Sequence, residues 1–267
     1  KYVRIRNDYL RNRFRHGRRI RGLLRSILHE LSPSSKVIDL CHNIEPNDIR
    51  GGALMLARSV PYLSPGLLLA SVGDLAGRPA IAVEVGEGQS ILVGPDNGLL
   101  GAAVAVVGGA SQAVQLTNED LHNASPGVIH PARDIIAPVI GHLAAGGLLV
   151  ELGQQIDPSR LLPSLIPMPR TEDDGAISAE VIRCTRQGSA QLNIDRETLS
   201  GLGDVIILEF GDDRRVVRLQ HPQDVNPGQL ALVDDEYGLL AIATGQQEGI
   251  VPNGLSVGAE VTLREAT

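Results

Sequence analysis

Apolar and polar positions alternate with one rhythm in the first part of the chain and another in the last. Val37–Leu40 is a short β-branched and apolar run, the signature of a buried strand. Ile49, Ala53, Leu56 and Ala57 then recur at helical spacing, with Pro46 and Asp48 at the start and Pro61 as the stop. Leu67–Val72 is a second apolar run. Strand, crossover helix and strand predict a parallel pair. Ligands of such sheets sit at the carboxyl ends of the strands, so the loops after Leu40 and Val72 are where chemistry is expected.

The same patterning extends on both sides of this unit. Tyr2–Arg6 alternates as a half-exposed strand would. Ile20, Leu23, Leu24, Ile27, Leu28 and Leu31 form one stripe of a helix over 17–31, which Ser32-Pro33 ends. Ala80–Val85 and Ser90–Val93 flank Gly86-Glu87-Gly88, a hairpin signal. A small-residue helix to Val107, a strand at Ala113–Leu116 and a helix at Ile135–Ala145 follow, with His29 and His142 on helix surfaces.

Pro163, Pro167 and Pro169, then Thr171–Gly175, read as a linker. Beyond it the chain offers only short strands between Gly, Asp and Pro turns: Ile177–Cys184, Ala190–Ile194, Val205–Phe210, Arg214–Leu219, Leu230–Val233, Leu239–Ala243 and Glu260–Leu263. The expected fold class is α/β: an N-terminal, mainly parallel α/β sheet domain over 1–165, a linker over 166–175, and a smaller C-terminal antiparallel β-barrel domain over 176–267.

Composition narrows the function classes. Hydrophobic residues make up 43% of 267 positions, yet there is no Trp and there are two Phe, so the cores must be Leu, Ile, Val and Ala. Cys41 and Cys184 are too few for a disulfide framework, and a reduced, cytoplasmic protein is expected. No apolar run approaches the roughly 20 residues that cross a bilayer, and no secretory apolar segment is visible. Net charge is −7, but residues 1–30 hold Lys1 and nine Arg against Asp8 and Glu30. Such an arm either meets an anionic partner or is simply solvated; with no aromatic platform beside it, nucleic acid is not the expected partner.

The stretch VIDLCHNIEPNDIRGGALMLARSVPYLSPG at 37–66, GPDNGLL at 94–100, ARDIIAP at 132–138 and GSAQLNI at 188–194 together resemble the S-adenosylmethionine (SAM) hydroxide adenosyltransferases, the superfamily that also holds the SAM-dependent fluorinase and chlorinase. The resemblance runs in order from about Ile20 to Leu263. It implies hydrolysis of SAM to adenosine and methionine by water or hydroxide attacking C5′ of the ribose. It further implies a homotrimer with the site at a subunit interface, SAM as substrate and no separate cofactor. Neither HExxH nor CxxC occurs, so no metal is expected.

The resemblance assigns roles residue by residue. Asp8 falls where an aspartate holds the ribose hydroxyls, a task for a carboxylate that accepts two hydrogen bonds from a cis-diol; the alternative is a turn-forming aspartate. The usual glycine of that turn is Leu10 here. Asp74 and Arg78, in a loop about two residues shorter than the family's, match the pair that orients and polarises the water; the alternative is a surface ion pair in a glycine turn. The family's third water-site residue, a histidine, aligns with Pro131, and His130 stands one position earlier. Either His130 serves as the base, for which an imidazole is suited, or it fills the packing role of an aromatic. Asn47 joins the substrate contacts. From the barrel the resemblance adds Ser189, where an asparagine is usual, with Thr185 and Gln187 at the flanking motif positions, and Glu236 and Tyr237 in place of a Ser-Tyr or Ser-Arg pair. Glu236 either repels the methionine carboxylate or faces its ammonium. Asn97-Gly98 reads as a turn first and a ligand contact second.

Two alternatives to the hydrolase stay open. One is a catalytically impaired relative that binds an adenosyl ligand or a partner. The other is a SAM-dependent halogenase, disfavoured because Asp74 would repel a halide.

Overall fold

Leu67–Val72 is buried at all six positions, because helices cover both faces of the sheet to which it belongs. The computed structural model describes residues 2–8, 16–75, 77–185, 188–245 and 254–266, with side chains from Arg19 onward. It divides into two compact units, Lys1–Leu165 and Ile166–Thr267.

The first unit runs β1 (Tyr2–Asp8), α1 (His16–Leu31), β2 (Lys36–Cys41), α2 (Ile49–Ser59), β3 (Leu67–Val72), β4 (Ala80–Val85), β5 (Ser90–Pro95), α3 (Gly101–Val106), β6 (Ala110–Gln115), α4 (Ala137–Ala145) and β7 (Gln155–Ile156). The strand order is β2-β1-β3-β5-β4-β6-β7. The β2-β1-β3-β5 side is parallel, and β4, β6 and β7 extend it antiparallel. The crossover through α2 does join two parallel strands, but β1 lies between them: Val3 pairs with Val37 on one side and Leu67 on the other.

Period-2 alternation in β3 sends its side chains to two separate cores. Leu67 and Leu69 join Leu24 and Leu28 of α1 and Ile136, Val139 and Ile140 around α4. Leu68, Ala70 and Val72 join Leu56 of α2 and Leu99, Leu100 and Ala103 around α3. The α1 stripe is buried at Leu24 and Leu28 and half-buried at Ile20, Leu23 and Ile27. Leu31 ends the stripe partly exposed but lies over Gly141 of α4, where a Cβ would come within 2.5 Å of its Cδ1. The last helix begins with a wide π turn at Pro131–Ile136, earlier than periodicity predicted. Pro131 suits that first turn because its missing N–H would have had no intrahelical partner.

The second unit runs β8 (Arg170–Thr171), β9 (Ile177–Cys184), β10 (Ala190–Asp195), β11 (Val205–Phe210), β12 (Asp213–Gln220), β13 (Leu230–Asp234), β14 (Leu239–Thr244) and β15 (Glu260–Glu265). The order β10-β14-β13-β12-β11-β15-β9 closes on itself through the β9–β10 pairing, giving a seven-stranded barrel with β8 paired on β9. Every ladder in the ring is antiparallel except β12–β13. In β11, Ile206, Leu208 and Phe210 point inward while Val205, Ile207 and Glu209 are half-buried. Val181, Leu192, Leu232, Leu240, Ile242 and Leu263 complete the interior. Aliphatic side chains thus build the cores of both units, with Phe210 as the one buried aromatic among the described residues, as the shortage of aromatics required. Cys41 and Cys184 are free thiols. Among the described residues no helix is long and apolar enough to cross a membrane.

Candidate active site

In the first unit the strand register gathers several of the expected residues at the carboxyl edge of the sheet. Asp8 ends β1 directly opposite Val72 of β3; its side chain, like Tyr9 and Leu10, lies outside the described residues. After Val72 the chain turns through Gly73 at φ 72°. A Cβ there would lie 3.1 Å from Ile49 Cδ1 and 3.2 Å from Asn97 Nδ2, so the start of α2 and the Asn97 amide both close on this turn. Asp48 caps α2 by accepting from the Gly51 N–H at 2.8 Å. Asn47 precedes it, exposed and held at φ 63°. Asp74 follows Gly73 and is exposed. The strand end of Asp8, the loop of Asn47 and Asp74 therefore share one edge.

Two buried polar residues organise that edge. Asn97, 5% exposed, donates from Nδ2 to the Val72 carbonyl at 2.9 Å and to the Asp74 carbonyl at 3.0 Å, and its Oδ1 accepts from the Leu99 N–H at 3.2 Å. Asp96, 2% exposed, accepts through Oδ2 from Arg78 Nε at 2.7 Å and from Arg78 Nη2, and through Oδ1 from the Leu162 N–H at 2.9 Å. Arg78 Nη2 also donates to the Arg160 carbonyl at 3.2 Å. Among the described residues, then, the ion pair of Arg78 is with Asp96 and not with Asp74. The reason is electrostatic: a buried carboxylate requires a cation and full hydrogen bonding, a demand that an exposed one such as Asp74 does not make.

His130 stands on a different segment. Its N–H donates to Asp134 Oδ2 at 2.8 Å, and its carbonyl accepts from the Asp134 N–H at 2.8 Å. Burial pushes the imidazole below its usual pKa, and the Arg133 guanidinium adds to that shift, against the opposing pull of Asp134. The ring is therefore neutral near neutral pH, the protonation state a base needs. Burial alone would raise Asp134. The guanidinium bonds from Arg133, at 2.5 and 2.6 Å, and the His130 N–H outweigh it and hold the carboxyl below its usual range.

The barrel places its candidates apart. Ser189 closes the β9–β10 turn: its Oγ and Thr185 Oγ1 lie 2.7 Å apart, and Thr185 N–H donates to the Ser189 carbonyl at 2.9 Å. Gln187 lies outside the described residues. Glu236 and Tyr237 sit exposed in the β13–β14 turn, shaped by Asp235 Oδ1, which accepts from the N–H of Tyr237 at 2.7 Å and of Leu239 at 2.9 Å. Ala190 pairs with Ile242 while Asp195 pairs with Leu239. The two turns thus stand at opposite ends of the β10–β14 ladder, roughly 15–20 Å apart at about 3.3 Å per residue.

From the sequence, Asn97-Gly98 reads as a turn first and a ligand contact second, and nothing there ties Asp96 or Asn97 to Arg78 or Asp74. The available signal was two adjacent polar residues just past Gly94-Pro95, which follow the apolar run Ile91–Val93 at a strand's carboxyl end. A cavity of about 330 Å³ lies behind Asp96, lined by Ile81, Leu100, Val104, Leu161 and Leu162 among others. Asp96 itself lines it, with Gly98, whereas Asp74, Arg78 and His130 do not.

An α/β sheet unit with polar loops at its carboxyl edge, followed by a small closed barrel, defines the class. The family model of the SAM hydroxide adenosyltransferase N-terminal domain matches residues 14–153. Among curated proteins the chain is similar to the (R)-S-adenosyl-L-methionine hydrolase of Salinispora tropica, 38% identical over 81% of this chain and 82% of that protein. The hydrolase of the same name from Salinispora arenicola is 36% identical over the same shares. Among solved structures, an uncharacterized conserved protein from Thermotoga maritima superposes with a TM-score of 0.79 at 22% identity, over 99% of this chain and 100% of that one; at that identity it speaks for the fold. The chain belongs to the SAM hydroxide adenosyltransferase family.

Proposed function

We propose that the protein hydrolyses SAM to adenosine and methionine, with water or hydroxide displacing methionine from C5′ of the ribose. Methionine departs as a neutral thioether, so the leaving group needs no general acid. What the reaction demands is an aimed nucleophile and a clamp on the nucleoside. In this reading Asp74 accepts the water's proton, Arg78 stabilises the developing hydroxide and Asp8 binds the ribose diol. His130 is a second candidate base. Asn47 and the barrel residues Ser189, Glu236 and Tyr237 contact the substrate, in a homotrimer whose sites lie at subunit interfaces. SAM is substrate, and no separate cofactor takes part.

The observation that carries the reading is the edge itself: Asp8 ends its strand opposite Val72, and Asp74 follows two residues later. Incubation with SAM and chromatographic detection of adenosine and methionine in equal amounts tests it, and light scattering tests the trimer. Binding of SAM by calorimetry with no product would remove the hydrolase. It would leave the second reading, an impaired relative that binds an adenosyl ligand. Pro131 at the family's histidine position favours that reading, since proline offers neither acid nor base. A halide nucleophile is disfavoured because exposed Asp74 keeps a negative charge at the edge.

A further inference from the structure

We infer that Asp96 and Asn97 are the positioning residues of the water site, Asp96 by aiming the Arg78 guanidinium and Asn97 by fixing the backbone on which Asp74 stands. The inference rests on the hydrolase reading above and deepens it.

The geometry of Arg78 is the first ground. Asp96 Oδ2 takes both Nε and Nη2, the same side of the planar guanidinium. Nη2 is also used by the Arg160 carbonyl. That engagement fixes the plane and leaves Nη1, on a side chain 39% exposed, as the nitrogen whose N–H groups point away from Asp96. A guanidinium locked on one side and open on the other is a fixed donor, which is what stabilising a developing oxyanion requires. An unanchored arginine would have to be ordered at the moment of reaction, at an entropic cost.

The geometry of Asn97 is the second. Its two N–H groups go to the carbonyls of Val72 and Asp74, the residues on either side of Gly73. One amide thus spans the glycine turn and holds its left-handed conformation. Asp96 and Asn97 are consecutive, so the two anchors move as one body. A single buried dipeptide sets both members of the proposed pair, although the pair does not bond to itself.

The test is Asp96→Asn, which keeps shape and the Oδ1 acceptor for the Leu162 N–H but turns an amide toward Arg78. Expected is a 10- to 100-fold fall in kcat with KM for SAM within about threefold. The second variant is Arg78→Lys, whose ammonium cannot reproduce the fork. The double variant should be no slower than the slower single one, because both remove the same aimed donor. Thermal melts confirm folding. If Asp96→Asn in folded protein keeps kcat within twofold, or if the two losses multiply, the positioning role is overturned while the hydrolase reading stands. Wild-type protein without turnover would instead overturn the hydrolase reading and the role that rests on it. Should Asp96→Asn not fold, Asp96→Glu replaces it: a retained carboxylate with displaced aim is expected to lower kcat and not KM, and an unchanged kcat overturns the proposal.

Discussion

The carboxyl edge of the first unit and the turns of the barrel hold their candidate residues by different means. At the edge the anchors are distant in sequence and buried: Asn97 reaches Val72 and Asp74, and Asp96 reaches Arg78 and Leu162. In the barrel the turn bonds named above are local, with Thr185 bonded to Ser189 and Asp235 to Tyr237 and Leu239. A self-contained turn survives changes elsewhere. An edge assembled from remote loops transmits any change in its anchors to every residue they hold. The first arrangement suits contacts that select a ligand, and the second suits groups whose aim decides a rate.

The sharpest way to break this comparison is Asp74→Asn. Loss of the proposed proton acceptor should lower turnover by about 10²–10⁴-fold with an unchanged melting temperature, read as adenosine formed from SAM. A rate within tenfold of wild type would take the base role from Asp74 and with it the special status of the edge. Next in size is Asn97→Ala. It strips donors from the Val72 and Asp74 carbonyls and should cost about 2–4 kcal/mol in urea unfolding. The matching barrel change, Asp235→Ala, should cost about 1 kcal/mol, because the N–H groups it would release belong to a turn whose residues 236–238 are exposed. Equal costs for the two would erase the distinction between remote and local anchoring.

The smallest effect is a pH dependence. His130 has its pKa lowered in the folded protein, chiefly by burial, so the folded state binds fewer protons than the unfolded one. Stability should therefore fall as pH drops below about 6.5 toward the depressed value. His130→Gln should flatten the melting temperature between pH 7.5 and 5.5. Asp134, also depressed, acts in a separate window: its contribution is present above about 3.9 and lost as pH falls through its lower folded value. A profile of His130→Gln with the wild-type slope would assign the first window to another group.

Much of the fold was legible because periodicity reports burial directly. Leu67–Val72, Ala80–Val85, Ile177–Cys184 and Val205–Phe210 are strands with the predicted bounds. The helix stripe is buried at Leu24 and Leu28 as its spacing required, though that spacing does not name α4 as the element it meets. The order of strands was not legible: nothing in the residues of β1 says that it separates β2 from β3. The partner of Arg78 was not legible either. Asp74 lies four residues from it and Asp96 lies eighteen, and only burial of the second makes it the stronger claimant. Opposite placement of Ser189 and Glu236 follows from the β10–β14 register, which no local pattern encodes.

By itself the sequence determined which segments become strands and which become helices, where short strands replace the α/β alternation, and which residue types are available to meet a nucleoside. Those are local or short-period properties, fixed by backbone preference and the side on which apolar groups fall. The tertiary structure alone decided that Asp96 takes Arg78, that Asn97 clasps the turn before Asp74, and that two barrel turns face away from each other. Pairing between remote polar groups depends on which of them loses its water when the sheet closes, and that is settled only when the layers come together.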